Sequence, residues 1–326
     1  MRPTVLLHDH LDGGLRPTTM VELADAVGYR GLPSHDPEAL ADHFDQSGAG
    51  SLETYLEAFV HAVAVMATPD ALHRVGYESI VDLAADGVVH AEIRFAPSLT
   101  AAHGLGVEGT LESVCAGLRE GAVEAGITWG FIVDALRNQH DSLDVVTRSL
   151  SVADPGIVGF DLAGPEADYP PSLHAPALNR AREGGLRLTI HAGEAAGERG
   201  PEYMLEAVRL GAERIGHGVE IIRDCVVADG RITDLGPIAS MILDRQIVLE
   251  TCPTSNAATG SIALDDHPLP MLYEAGFAVT INTDNRLMSR TTMSREIAAV
   301  TDVLGMSSQS IDHMMSIARS AVFSRL

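Results

Sequence analysis

The chain of 326 residues contains no lysine, and all 22 of its basic residues are arginine. Schiff-base chemistry, pyridoxal phosphate anchoring, a phosphate-binding P-loop and a carbamylated lysine bridging two metals all need that side chain, so each is excluded. Cysteine is almost as scarce. Cys115, Cys225 and Cys252 are odd in number and far apart, which indicates neither a disulfide framework nor a thiolate metal site. No apolar stretch approaches the ~20 residues of a membrane span, and the N-terminus lacks the basic flank and apolar core of a secretory leader. The expectation is a cytoplasmic protein that does not engage membranes. Positive charge is also in deficit: 45 acidic against 22 basic residues give a formal charge of -23. Such a balance repels phosphate backbones and argues against nucleic-acid binding, whereas a small neutral or cationic partner fits. No motif sets an oligomeric state.

What is present is a large apolar fraction, 46% against 21% charged, divided into short β-branched runs separated by helical patterns. Strands are expected at 5–10, 88–96, 127–135, 157–164, 186–193, 214–218, 247–253 and 278–284. Helical periodicity fills 20–27, 52–66, 70–85, 111–125, 172–183, 201–210, 235–244 and 269–275, with two more helices after Met293. Eight strands each followed by helix predict an α/β protein of the (β/α)8 TIM-barrel type, with extra helices after strand one and at the C-terminus. No Pro/Gly/Ser-rich linker interrupts it, so one domain over 1–326 is expected.

In such barrels the chemistry gathers at the C-terminal ends of the strands. His8 and His10 end the first strand, His191 the fifth and His217 the sixth, and Asp284 closes the eighth. The His-x-His spacing by itself is weak, since 14 histidines in 326 positions produce roughly 0.6 such pairs by chance. Location adds the information: residues i and i+2 of a strand share a face, so His8 and His10 both point to the barrel axis and Asp9 away from it. Taken singly, each histidine is explained as a hydrogen-bonded core residue, as His61, His73 and His90 are. Taken together, three imidazoles and a carboxylate from separate strand ends, with no thiolate, are the ligand types of a catalytic zinc with an open position for water.

The strand-end motifs "HDHLDG", "DLAGPE", "HAGE", "RIGHG", "ETCPTSN" and "NTDN" occur in this order from His8 to Asn285. In this the chain resembles the adenosine deaminase family, zinc-dependent (β/α)8 hydrolases of purine nucleosides. The resemblance implies one Zn2+ per chain bound by His8, His10, His191 and Asp284. It implies that Glu194 protonates purine N1 and that His217 orients or deprotonates the attacking water. Asp12 would contact ribose, Gly164 would offer its N–H to purine N3, and His10 would also face the substrate. Leu52, Tyr55, Leu56 and Phe59 match a helix that covers the purine, although spacing of i, i+3, i+4 and i+7 on its own describes any core-facing helix. The chemistry is coherent: zinc makes hydroxide available near neutral pH, and the ring carbon bearing the amino group becomes electrophilic only when N1 is protonated by an acid kept neutral in an apolar pocket.

One position departs from the family pattern of two adjacent aspartates followed by proline: here the run is "TDNRLMS", with Asn285 second and Arg286 after it. Purine N7 is only an acceptor, so an asparagine amide can donate to it with no change of protonation. Asn285 either keeps N7 recognition or marks a changed specificity. The expected reaction is therefore hydrolysis of adenosine or 2'-deoxyadenosine to the inosine product and ammonia, in purine salvage. Adenine, adenosine monophosphate or a modified nucleoside such as aminofutalosine remain as other substrates, a barrel phosphoesterase with several metals as another enzyme, and a silent purine-binding barrel as a non-enzyme. The zinc class built on PCxxC fails, because Cys252 precedes proline and no CxxC exists. Glu250, Arg286 and the segment 35–50 carry no assigned role.

Overall fold

The computed structural model describes residues 3–101 and 103–324. Its strands are β1 (Thr4–His10), β2 (Val88–Phe95), β3 (Thr128–Leu136), β4 (Ile157–Ala163), β5 (Arg187–Ala192), β6 (Arg214–His217), β7 (Cys225–Ala228), β8 (Arg231–Leu235), β9 (Val248–Thr251) and β10 (Val279–Ile281). Eight of them form one parallel sheet in the order β1-β2-β3-β4-β5-β6-β9-β10, while β7 and β8 pair with each other as an antiparallel hairpin. The barrel closes through a bridge between Asp9 and Asp284: His10 N–H donates to Asp284 O at 2.7 Å, and Asp284 N–H to His8 O at 3.0 Å. Helices on the outside bury the second face of each strand. This is why a segment such as Phe131–Val133 is apolar without alternation and buried throughout.

Local signals set the helix ends. Thr68 caps the helix Pro69–Ala85 by accepting from Ala71 N–H, with proline at its first position. Gly126, in the left-handed region at φ 69°, ends the helix Gly106–Ala125. These two long helices lie backbone against backbone, and a Cβ at Gly117 would sit 1.9 Å from the carbonyl oxygen of His73.

The barrel interior holds ions as well as hydrocarbon. Arg94 and Arg214 are buried with Glu92, Asp161 and Glu250. Arg94 donates to Asp161 Oδ2 (2.6 Å) and Glu250 Oε2 (2.8 Å), and Arg214 to Glu92 Oε2 (2.6 Å) with its Nε 2.6 Å from Glu250 Oε1. Burial pushes Glu92 up, but Arg214 and His90 outweigh it and bring the carboxyl to about 2.

The structure corrects several expected elements. The helix expected over 52–66 is two pieces, Leu52–Glu57 and Phe59–Val65, meeting at Ala58; the break lets Tyr55 on the first and Ala62 and Val65 on the second all bury. The helix expected from 235 begins at Pro237, where the Asp224 carboxylate accepts from the N–H groups of Ile238 and Ala239, and Leu235 belongs to the hairpin. That hairpin turns on Asp229 and Gly230, both at positive φ, a tight-turn pair. The segment 35–50 contains the helix Pro37–Phe44, capped by Asp36 and anchored by buried Leu40 and Phe44. Short helices at Ser142–Ser149 and Pro253–Ala258 were also not expected. Among the described residues no helix is long and apolar enough to cross a membrane.

Candidate active site

The C-terminal mouth of the barrel holds a cavity of about 200 Å³. At its floor the ligand-type atoms of His8, His10, His191 and Asp284 all lie within 4.8 Å of one another. His10 Nε2 is 3.2 Å from His191 Nε2, and Asp284 Oδ1 is 3.3 Å from His8 Nε2 and 3.4 Å from His10 Nε2. The outer nitrogen of each ring faces a carboxylate: His8 Nδ1 is 2.9 Å from Glu250 Oε2, His191 Nδ1 2.9 Å from Asp161 Oδ2, and His10 Nδ1 3.3 Å from Asp134 Oδ2. Carboxylates so placed favour a proton on the outer nitrogens and Nε2 lone pairs directed at the cluster, the usual support of metal-binding histidines, and of the three contacts the His8–Glu250 one has hydrogen-bond geometry. Among the described residues His8 Nε2, which is buried, has no hydrogen-bond partner, as the donor set of a cation site requires.

Two overlapping groupings, His8–His217–Cys252 and Glu194–His217–Asp284, share this floor. Burial, Asp284 and nearby glutamates raise the Cys252 thiol well above its ordinary value, which disfavours the thiolate that a metal needs, and its Sγ instead points to Glu250 O at 3.4 Å. Burial lifts the Asp284 carboxyl, yet the imidazoles of His8, His217 and His10 together hold it well below its usual range. Ser255 Oγ–H donates to its Oδ2.

Glu194 and His217 face each other above the cluster, Oε2 to Nε2 at 3.5 Å. Burial, then Asp284 and Glu166, push the Glu194 carboxyl well above its ordinary value, with Arg137 partly offsetting them. Its loop is clamped from beneath: Glu166 accepts the N–H groups of Gly193, Glu194 and Ala195, and Glu220 those of Ala196 and Gly197. His217 and Asp284 both sit in the left-handed region, at φ 61° and 57°, a conformation uncommon for non-glycine residues.

The structure brings every other expected residue to the same cavity. Asp12, Gly164, Asn285, Leu52, Tyr55, Leu56 and Phe59 all line it. Burial raises Asp12 to about 6, against the pull of His10. Gly164 has φ 93°, so its conformation rather than lack of room calls for glycine. Asn285 packs on Gly13 so tightly that a Cβ there would lie 2.0 Å from its Oδ1, a buried atom without a hydrogen-bond partner among the described residues. Tyr55 Oη is 2.8 Å from Ser289 Oγ, which ties the helix over the cavity to the loop after Asp284. Arg286, unassigned by sequence, donates through Nε to Asp9 Oδ2 at 3.0 Å and through Nη2 to Ser79 Oγ at 2.9 Å, bracing the strand that carries both histidines. Sequence reasoning missed Asp134, Asp161, Glu166, Ser255 and Asn256. The signal for the two aspartates was an acid near the end of an otherwise apolar strand, in "FIVDA" and "GFDLAG".

A profile of the adenosine deaminase family matches residues 3–324. The chain is 48% identical over 310 residues to a curated adenosine deaminase of Mycobacterium leprae, covering 93% of this chain and 85% of that one. Among solved structures it is similar to the adenine deaminase of Arthrobacter aurescens, with TM-score 0.89 and 27% identity over 100% of this chain and 95% of that one. It is also similar to the Arabidopsis N6-mAMP deaminase, with TM-score 0.82 and 27% identity over 99% and 94%. With the barrel and its strand-end motifs, these matches place the chain in the adenosine deaminase family.

Proposed function

We propose that the protein, as one barrel domain with one site, hydrolyses adenosine and 2'-deoxyadenosine to the corresponding inosine product and ammonia. The observation that carries this reading is Glu194, a buried carboxyl on the wall of the cavity whose floor is a cluster of three imidazoles and a carboxylate, where burial raises it well above its ordinary value. The three imidazole nitrogens, His8 Nε2 among them, and the carboxylate oxygen suit one zinc ion, with His8, His10, His191 and Asp284 as its ligands. When bound, zinc would lower the pKa of a coordinated water toward ~7 and so make hydroxide available at neutral pH.

The chain's own groups do the rest. Glu194 donates its proton to purine N1, which makes C6 electrophilic, and His217 orients the attacking water above the same floor. Asn285 donates its amide N–H to N7, Gly164 its backbone N–H to N3, and His10 meets the substrate at the edge of the cluster. Asp12 accepts from the ribose hydroxyls. Leu52, Tyr55, Leu56 and Phe59 cover the base and exclude water, which strengthens every electrostatic contact beneath them.

Asp12 favours a nucleoside over the free base, which has no ribose to offer it, and over a nucleotide, whose phosphate it repels. The 48% identity to a curated adenosine deaminase supports the same choice. We place the reaction in cytoplasmic purine salvage, a compartment in which the three free cysteines persist unpaired. The test is a panel of adenosine, 2'-deoxyadenosine, adenine, adenosine monophosphate and aminofutalosine, followed by absorbance on protein whose metal content has been counted. Turnover greatest on the first two with one zinc per chain is expected. Preference for another aminopurine moves the substrate, and inertness toward all of them leaves a purine-binding barrel.

A further inference from the structure

Behind His217, on the side away from the cavity, a buried chain of hydrogen bonds runs through Asn256 and His267 to the backbone of Leu269. Leu269 N–H lies 3.1 Å from His267 Nδ1. A backbone N–H only donates, so His267 Nδ1 carries a lone pair and the proton of the neutral ring is on Nε2. That nitrogen is 3.3 Å from Asn256 Oδ1 and donates to it. The amide is thereby oriented, and its Nδ2–H donates to His217 Nδ1 at 3.1 Å. His217 then has its lone pair on Nδ1 and its proton on Nε2, the nitrogen that faces Glu194 and the cavity.

Reversing the chain fails at its far end. If Nδ1 of His217 carried the proton, the amide would turn its oxygen to His217 and its N–H2 to His267 Nε2. Both nitrogens of His267 would then have to accept, which a neutral imidazole cannot do. All three side chains are buried, so bulk water does not supply a substitute partner. Desolvation brings the His267 pKa down to about 3, consistent with a neutral ring.

We propose that Asn256 and His267 are positioning residues that lock His217 in the Nε2–H tautomer, so that it serves the reaction as a hydrogen-bond donor to the attacking oxygen and not as the base that deprotonates it. The inference rests on the deaminase reading above and settles which of two roles His217 plays in it.

Nitrogen-15 NMR of the zinc-loaded, histidine-labelled protein reads the tautomer directly and does not depend on turnover; His217→Gln assigns the signal. An imine-type Nδ1 and a protonated Nε2 are expected, and the reverse pattern or a doubly protonated ring overturns the proposal. Asn256→Asp replaces the donor by an acceptor and should move the proton to Nδ1. There kcat should fall about 100-fold, the scale of a lost proton-positioning group, while KM stays within about threefold. Unchanged kcat in a folded Asn256→Asp protein overturns the proposal. Should that variant fail to fold, His267→Ala and His267→Gln decide. Glutamine keeps a donor facing Asn256 Oδ1 and should recover at least about tenfold over alanine, and equal turnover in the two refutes the relay. Wild-type protein inert toward adenosine would count against the deaminase reading alone, because the tautomer is read separately.

Discussion

Glu194 sits three residues beyond His191 in a loop whose amides are consumed by Glu166 and Glu220, so its carboxyl is held rigidly. Burial favours its protonated form, and the proposed chemistry needs that proton. Glu194→Gln should therefore lower kcat by 10²- to 10⁴-fold, the range of a general acid, with zinc content unchanged. The sign of the pH effect follows: the working form is the protonated one, so turnover is level below the raised pKa and falls as pH rises through it. The glutamine variant should lose that alkaline limb in its residual activity, and a limb that persists assigns it to another group. Asn285→Ala should raise KM and lower kcat for purine nucleosides, and no change in either removes Asn285 from the site. Asp161→Asn weakens the acceptor on His191 Nδ1 and should cost 10- to 100-fold in zinc affinity, measured by competition with a chelator. The ligand-type residues were legible because strand periodicity puts them at one rim. Asp161, Asp134 and Glu250 were not, because nothing in a lone acid within an apolar strand tells whether a neighbouring strand carries its histidine or an arginine.

At the scale of elements, all eight barrel strands were legible from β-branched runs, since strands covered on both faces need continuous apolar sequence. The hairpin Cys225–Leu235 was missed although Asp229 and Gly230 announce its turn, because its strands lie on the surface with little apolar alternation to mark them. The break at Ala58 carries no proline or glycine and arises from what each half buries, a tertiary cause. The close pairing of Pro69–Ala85 with Gly106–Ala125 was likewise unmarked, since a helical glycine reads locally only as a weak helix former. Its cost is testable. At Gly117 a Cβ would meet the His73 carbonyl at 1.9 Å, and the obstacle is backbone that cannot rotate aside. Gly117→Ala should destabilise the fold by about 1–3 kcal/mol, as over-packing does, despite alanine's better helix propensity. Zinc content and KM should stay at wild-type values, because both helices lie outside the barrel; equal or higher thermal stability would show that the helices part without cost.

For the molecule as a whole, the formal charge of -23 makes further ionisation costly. Besides Glu194, two carboxyls are raised to about 7 in the fold: Glu220, first by burial and then by Glu166, and Glu296, by burial against the donors Thr254 and Thr291. Glu296 is fully buried, accepting from Thr291 Oγ1 at 2.7 Å and from Thr254 N–H at 3.3 Å. In the unfolded chain the same group ionises near its ordinary 4.5. Between those two values the folded state holds a proton that the unfolded state has lost, so the stabilisation present below pH 4.5 is lost as pH rises to 7 and changes no further above it. The slope is about 1.4 kcal/mol per pH unit, and the whole loss roughly 3–4 kcal/mol for this one group. General self-repulsion of an acidic protein falls in the same direction and has to be separated from it. Salt does so: at 1 M the screening length is about 3 Å, which suppresses repulsion between surface charges and leaves a buried carboxyl untouched. Glu296→Gln, neutral at every pH, should therefore narrow the stability difference between pH 5 and pH 8 by roughly 2–3 kcal/mol in urea unfolding, and by the same amount in 1 M NaCl as in dilute buffer. A narrowing that vanishes in salt would assign the effect to surface charge, and no narrowing at all would mean that Glu296 is already ionised in the fold below pH 5.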